Sequence, residues 1–253
     1  DETPASLIAR LVAIPRDRPA PVAAFDQLGR AISRRERREL AAATTPLQAA
    51  LVELHASSSR LHMLVGLCTA ARPNRHVRCL KRGAFEVEPL GYWWVELADK
   101  GAGSRRRLPL PAQVRTLLER HLALLVDLAP QLAAAGHADL AGAVARALAG
   151  RGPLMLWPER TDEGGYRIAD APPSCRCEAA AIACDGPNWR RKAAYRLLEV
   201  AVPAHLLERV VGHGQPSEPR SPAAYRESAA ELLPVAAFWE QWLRGRRWLT
   251  QIL

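Results

Sequence analysis

Residues 92–110 read Tyr92-Trp93-Trp94-Val95-Glu96-Leu97-Ala98-Asp99-Lys100-Gly101-Ala102-Gly103-Ser104-Arg105-Arg106-Arg107-Leu108-Pro109-Leu110, and this stretch decides the fold class. The aromatic and apolar run over 92–97 has strand character, and so has Arg107–Leu110. Gly101-Ala102-Gly103-Ser104 supplies the turn between them, because glycine reaches backbone conformations that other residues avoid. Upstream, Phe85-Glu86-Val87-Glu88 adds a third short strand. One small antiparallel hairpin sheet is therefore expected within a chain whose other segments repeat at helical spacing.

On the N-terminal side, Ser33-Arg34-Arg35-Glu36 has the Ser-x-x-Glu pattern of a capping box, which predicts a helix from there to about Ala43. Thr44-Thr45-Pro46 stops it, a second helix follows near Leu47–Ala56, and a third apolar stretch covers Leu61–Ala71. That stretch ends at Arg72-Pro73, since proline disfavours a helical residue before it. On the C-terminal side, Val114, Leu117, Leu118, His121, Leu122, Leu125 and Leu128 recur at three and four, the mark of a helix over Ala112–Leu128. A weaker helix fits Ala133–Ala149, residues 150–187 read as irregular, and further helices fit Trp189–Val200 and Ala204–Val211. The last begins at Tyr225 and carries an apolar stripe of Leu232, Val235, Phe238, Trp239 and Trp242. The expected class is mainly α with a small antiparallel β-sheet, with residues 1–30 as an arm or linker and 31–253 as one domain.

The chain has 253 residues, long enough to bury a sizeable core, and 49% of them are apolar, which excludes wholesale disorder. Its net charge is +9, almost all from arginine, since Lys81, Lys100 and Lys192 are the only lysines. Clustered cations gain affinity for a phosphate-rich partner by releasing counterions, so the excess points to nucleic acid. Its plainer reading is a solvated basic surface of a GC-rich genome. No apolar run approaches the roughly 18 residues that span a bilayer. The Asp-Glu-Thr-Pro start, without an initiator methionine or a signal-like segment, predicts a chain cut from a longer one. Five scattered cysteines predict a reducing, cytoplasmic setting, and Cys175-x-Cys177 with Cys184 lacks the paired spacing of a zinc site. There is no P-loop, and Gly101-x-Gly103 lacks the third glycine of a dinucleotide fingerprint.

Three segments together resemble the catalytic domain of the tyrosine recombinase (phage integrase) family. Leu67-Cys68-Thr69-Ala70-Ala71-Arg72 looks like the stretch holding the family's first catalytic arginine. Ala98–Leu110 is similar to the family hairpin, with Lys100 at the turn and Arg106-x-Leu108-Pro109-Leu110 as the strand after it. Trp189-Arg190-Arg191, Leu197-Leu198, Val210-Val211-Gly212-His213 and then Tyr225 resemble the boxes of the second arginine, the glycine–histidine pair and the nucleophile. Arg190 keeps the register to Gly212-His213 without a gap, and Arg191 stands second. The likeness covers about residues 31–250.

The resemblance implies site-specific cleavage and rejoining of DNA through a 3′-phosphotyrosyl intermediate. Arg72 and Arg190 would clamp the phosphate, Lys100 would act as acid, His213 would hydrogen-bond the phosphate and Tyr225 would attack. These residue types suit the chemistry on their own account. Guanidinium forks are always charged and match phosphate oxygens, a phenol forms a covalent ester, and a lysine on a turn delivers a proton. No metal or nucleotide cofactor is implied, because the covalent bond conserves the phosphodiester energy. The implied partners are duplex DNA and other copies of the chain, four at a synapse, with no membrane and a cytoplasmic, nucleoid-associated location. The chain departs from the family pattern at several points: Pro187, with Asn188 beside it, stands where a histidine precedes the second arginine, Arg191 replaces the histidine after it, Arg75 replaces an acid, and the gap from His213 to Tyr225 is longer than the common family spacing. A non-catalytic DNA-binding protein on the same scaffold, a helical interaction protein and a type IB topoisomerase are the alternatives.

Overall fold

The computed structural model describes residues 19–71, 77–87, 93–98, 105–162, 164–169, 198–199, 202–211 and 231–246. Among them the chain is mostly helical, with a small antiparallel sheet as expected. Six helices are described: α1 (Pro19–Ala42), α2 (Pro46–Thr69), α3 (Ala112–Ala134), α4 (Ala138–Leu148), α5 (Ala204–Val211) and α6 (Leu233–Leu243). Strands β1 (Phe85–Val87), β2 (Trp93–Ala98) and β3 (Arg105–Leu110) form the sheet in that order. Two further strands, β4 (Pro158–Arg160) and β5 (Tyr166–Ile168), make a separate hairpin. One apolar core draws on all six helices and the three-stranded sheet.

Two of the corrections to the sequence reading come through polar residues. Helix α1 starts at Pro19, so the boundary between arm and domain at residue 30 falls inside a helix, and Leu28 is already buried in the core. Ser33 and Glu36 therefore cap nothing. Residues three apart share a helix face, and here that face receives the guanidinium of Arg60. Arg60 Nη1 donates to Glu36 Oε1 at 3.1 Å, Nη2 pairs with Glu36 Oε2, and Nη2 reaches Ser33 Oγ at 3.4 Å. The helix start that does use such a motif is the next one. Thr45 is the N-cap of α2 and its hydroxyl accepts from Gln48 N, while Gln48 Oε1 accepts from Thr44 N at 2.8 Å and Pro46 opens the first turn.

The second correction is that α2 is one helix, where Ser57-Ser58-Ser59-Arg60 had been expected to separate two. Serine weakens helices by competing for backbone groups, but each of these hydroxyls has a partner. Ser59 Oγ donates to His55 O at 2.8 Å, Ser58 Oγ accepts from Leu156 N at 2.9 Å, and Ser57 Oγ meets His121 Nδ1 at 2.9 Å. The polar run is thus the seam along which α2 receives α1, α3 and the buried segment Leu154–Trp157.

Elsewhere the periodicity is a good guide. Helix α3 buries Val114, Leu117, Leu118, His121, Leu125 and Leu128 as expected, but it runs on through Pro130 to Ala134. Pro130 is exposed, so the backbone bond it forfeits lies on the solvent side. Helix α4 begins at Ala138, later than the expected Ala133, because Ala133 and Ala134 close α3; it ends at Leu148, and Gly150 beyond it has a φ of +68°, which suits glycine. The β4–β5 hairpin lies in the stretch read as irregular, because three-residue strands are too short to display a period. Helix α5 matches its expected span, and the stripe of α6 is core: Trp239 is fully buried and packs edge-on against Phe238 and Trp242.

Candidate active site

Arg72, Lys100, Arg190, His213 and Tyr225 all lie outside the described residues, as do Cys175, Cys177 and Cys184. What the structure describes is the set of elements from which those residues extend.

Arg72 follows the end of α2. Ala70 takes the left-handed conformation (φ 49°, ψ 26°) and its N–H reaches back to Leu67 O. Thr69 Oγ1 donates to Val65 O at 2.6 Å and accepts from Ala71 N at 3.3 Å. Thr69, Ala70 and Ala71 are all buried. The chain therefore leaves the helix along a path held by three hydrogen bonds as far as the residue before Arg72.

Lys100 lies in the connection between β2 and β3, whose last described pair is Ala98 with Arg105. The expected hairpin is present, and its alternation sorts the arginine triplet. Arg105 and Arg107 point to the polar face, where Arg105 pairs with Glu96 at 2.5 Å and Arg107 with Glu86 at 2.7 Å. Arg107 also lies over the ring of Trp94, 5.6 Å from its centroid. Arg106, one residue out of phase, falls on the face of Val95, Leu97 and Leu108. An arginine on an apolar face needs an acceptor, and this one donates through Nη1 to the carbonyl of Val210. Val210 sits in the last turn of α5, where carbonyls lack helical partners and the dipole favours a cation. His213 follows the end of α5 by two residues.

The C-terminal end is fixed in the same way. Glu240 of α6 accepts from Ala112 N at 3.1 Å through its carboxylate and from Gln113 Nε2 at 3.1 Å through its carbonyl. Pro111, the residue before α3, has no capping side chain, so Glu240 supplies the anion at that helix start. Arg246 pairs with Asp26 of α1 and stacks on Trp242, 4.3 Å from its ring centroid. Helix α6 is thereby tied to α3 and α1, eight residues after Tyr225. Leu198, eight residues after Arg190, is fully buried.

The sequence reading passed over one polar constellation in the core. His121 Nε2 lies 3.1 Å from Leu154 O, a group that only accepts, so this nitrogen carries the proton. Nδ1 then accepts from the Ser57 hydroxyl. Burial lowers the His121 pKa to about 4, with the Leu154 carbonyl opposing, and burial together with Arg35 lowers His55 to about 4. A neutral histidine beside a serine has the parts of a nucleophile and base, but His121 is 0% exposed and Ser57 is buried. It joins α2, α3 and the 154–157 segment, and its signal in the sequence was a polar run inside an apolar helix. Burial also raises the Cys68 thiol pKa. Among the described residues no cluster of three or more His, Cys, Asp or Glu side chains could hold a metal ion. No described helix is long and apolar enough to cross a membrane.

No family model, curated protein or solved structure matches the chain.

Proposed function

We propose that the chain cleaves and rejoins DNA strands through a phosphotyrosyl intermediate, as a site-specific recombinase. The Tyr225 oxygen attacks the phosphorus and the phenolic proton passes to solvent. The bond to the 5′ oxygen breaks, and Lys100 protonates that oxygen as it leaves. Arg72 and Arg190 hold the two non-bridging oxygens, where charge accumulates in the transition state, and His213 donates a further hydrogen bond. The reverse sequence, with a new 5′ hydroxyl, rejoins the strand.

The observation that carries this reading is the bond from Arg106 to Val210. It joins the hairpin whose connection contains Lys100 to the helix that precedes His213, two segments about a hundred residues apart in sequence. Such a cross-link supports a common site for the two residues. The packing of α2, which leads to Arg72, against β3 adds to that support.

The test is covalent capture on a nicked duplex from which the cleaved 5′ end diffuses away. An adduct that survives denaturant and is lost in Tyr225→Phe is expected. Capture unchanged in that variant overturns the assignment. Relaxation of plasmids irrespective of sequence would place the chemistry with the type IB topoisomerases instead. Pro187 and Asn188, which cannot transfer a proton, favour a second reading, a DNA-binding protein without cleavage. That reading predicts no adduct but weaker DNA binding after Arg72→Gln or Arg190→Gln.

A further inference from the structure

Helix α1 has two opposed faces. One carries Leu28, Ile32 and Ser33 into the core. On the other, Arg30, Arg34, Arg37 and Arg38 are all exposed, at spacings of four, three and one. At about 100° per residue these four fall within an arc of about 100°, along about 12 Å of helix axis. The acids of the same helix are engaged elsewhere: Glu36 turns inward to Arg60, and Glu39 pairs with Arg35 at 2.7 Å. Many other arginines have carboxylate partners, among them Arg105, Arg107, Arg115, Arg167, Arg209 and Arg246. Among the described residues no such pair involves the four on α1.

We infer that this face of α1, whose four arginines are not among the five residues proposed for catalysis, is a binding surface for the phosphate backbone of duplex DNA, an inference that rests on the reading of the chain as a protein that acts on DNA. Four like charges on one helix face repel one another, and an anionic partner relieves that repulsion. Guanidinium forks suit phosphate oxygens better than point charges do. A duplex carries one charge per about 1.7 Å of axis, so about seven phosphates lie along the 12 Å of the stripe. A membrane surface fits poorly, because an interfacial helix must insert its apolar face, and that of α1 is already in the core. The contact would be indifferent to base sequence, since it meets no base edge.

The experiment measures affinity for a random-sequence duplex across a salt series. It compares the full chain with Arg30→Gln/Arg34→Gln/Arg37→Gln/Arg38→Gln and with a charge-matched control, Arg120→Gln/Arg151→Gln/Arg160→Gln/Arg244→Gln. Circular dichroism establishes that both variants keep their helix content; should the α1 quadruple variant unfold, Arg30→Gln/Arg34→Gln and Arg37→Gln/Arg38→Gln are used, each expected to be shallower by about 1.8. Each lost phosphate contact lowers the slope of log K against log salt by about 0.9, so the α1 variant should be shallower by about 3 to 4 and the control by less than 1. Equal losses in both variants, or an unchanged slope in the α1 variant, overturn the proposal. So does tighter binding to vesicles of anionic lipid than to the duplex. Covalent capture by Tyr225 is read on the same proteins, so failure of the α1 face and failure of the recombinase reading are told apart.

Discussion

Arg106 of β3 donates to the backbone carbonyl of Val210 in the last turn of α5. The register puts this arginine on the apolar face of the sheet, opposite Leu97, while its neighbours Arg105 and Arg107 face carboxylates on the other side. A charge on that face is tolerable only with an acceptor in place, so strand and helix are locked in one relative position. Replacing Arg106 by alanine should lower stability by about 1.5 to 3 kcal/mol, the range for a hydrogen bond to a charged group. Urea denaturation checks it. A loss below about 0.5 kcal/mol would mean that α5 is held by its apolar contacts alone.

Arg60 is 1% exposed and answered by Glu36 and Ser33. Removing one partner of such a pair strands the other, so Glu36→Leu should cost about 3 kcal/mol or more. The double variant Glu36→Leu/Arg60→Met should recover most of that loss, because apolar groups of similar size fill the seam without desolvating a charge. Denaturant midpoints of the single and double variants decide this, and a double variant as unstable as the single would contradict it.

His121 and His55 both have folded pKa values of about 4, depressed from 6.5 mainly by burial. A group that must stay neutral to fold gives its full stabilisation above the unfolded pKa and loses it as pH falls. Stability should therefore decline from about pH 6.5 and level off below about pH 4, by at most about 3 kcal/mol for each histidine. Unfolding free energies measured at several pH values show the slope. In His121→Gln the slope should roughly halve, and a profile unchanged from wild type would exclude His121 as a source.

In the proposed mechanism Lys100 protonates the leaving 5′ oxygen. Lys100→Met should then slow cleavage by about 10²- to 10⁴-fold on an ordinary duplex. A duplex with sulfur in place of that oxygen has a leaving group that needs no proton, and cleavage should return to near the wild-type rate. Single-turnover kinetics on both substrates test this. An equal deficit on both would give Lys100 another role.

How far the sequence could be read depended on what each residue had to satisfy. The hairpin, α5 and the buried stripe of α6 were legible, because alternation or helical spacing of apolar residues needs no distant partner to interpret. Ser33 and Glu36 were misread, since a spacing of three serves a capping box and a buried ion pair equally well. Only Arg60, 24 residues on, distinguishes the two. Ser57-Ser58-Ser59 looked like a break because its partners, His55, His121 and Leu156, include two that lie far along the chain. Of the proposed site, the sequence carries the residue types and their order; the structure shows Ala70, Arg106 and Glu240 fixing neighbouring elements and does not describe the five residues themselves. Arg106 was visible only as part of a strand motif, because nothing local marks a side chain whose acceptor is 104 residues away.

The central claim is that five residues from three segments of the chain form one phosphate site. A crystal structure of the full chain grown with inorganic phosphate tests it most directly. The account predicts a single anion held by Arg72, Arg190 and His213, with Tyr225 and Lys100 on segments that reach it. Arg72 and Arg190 on opposite faces of the molecule would contradict it.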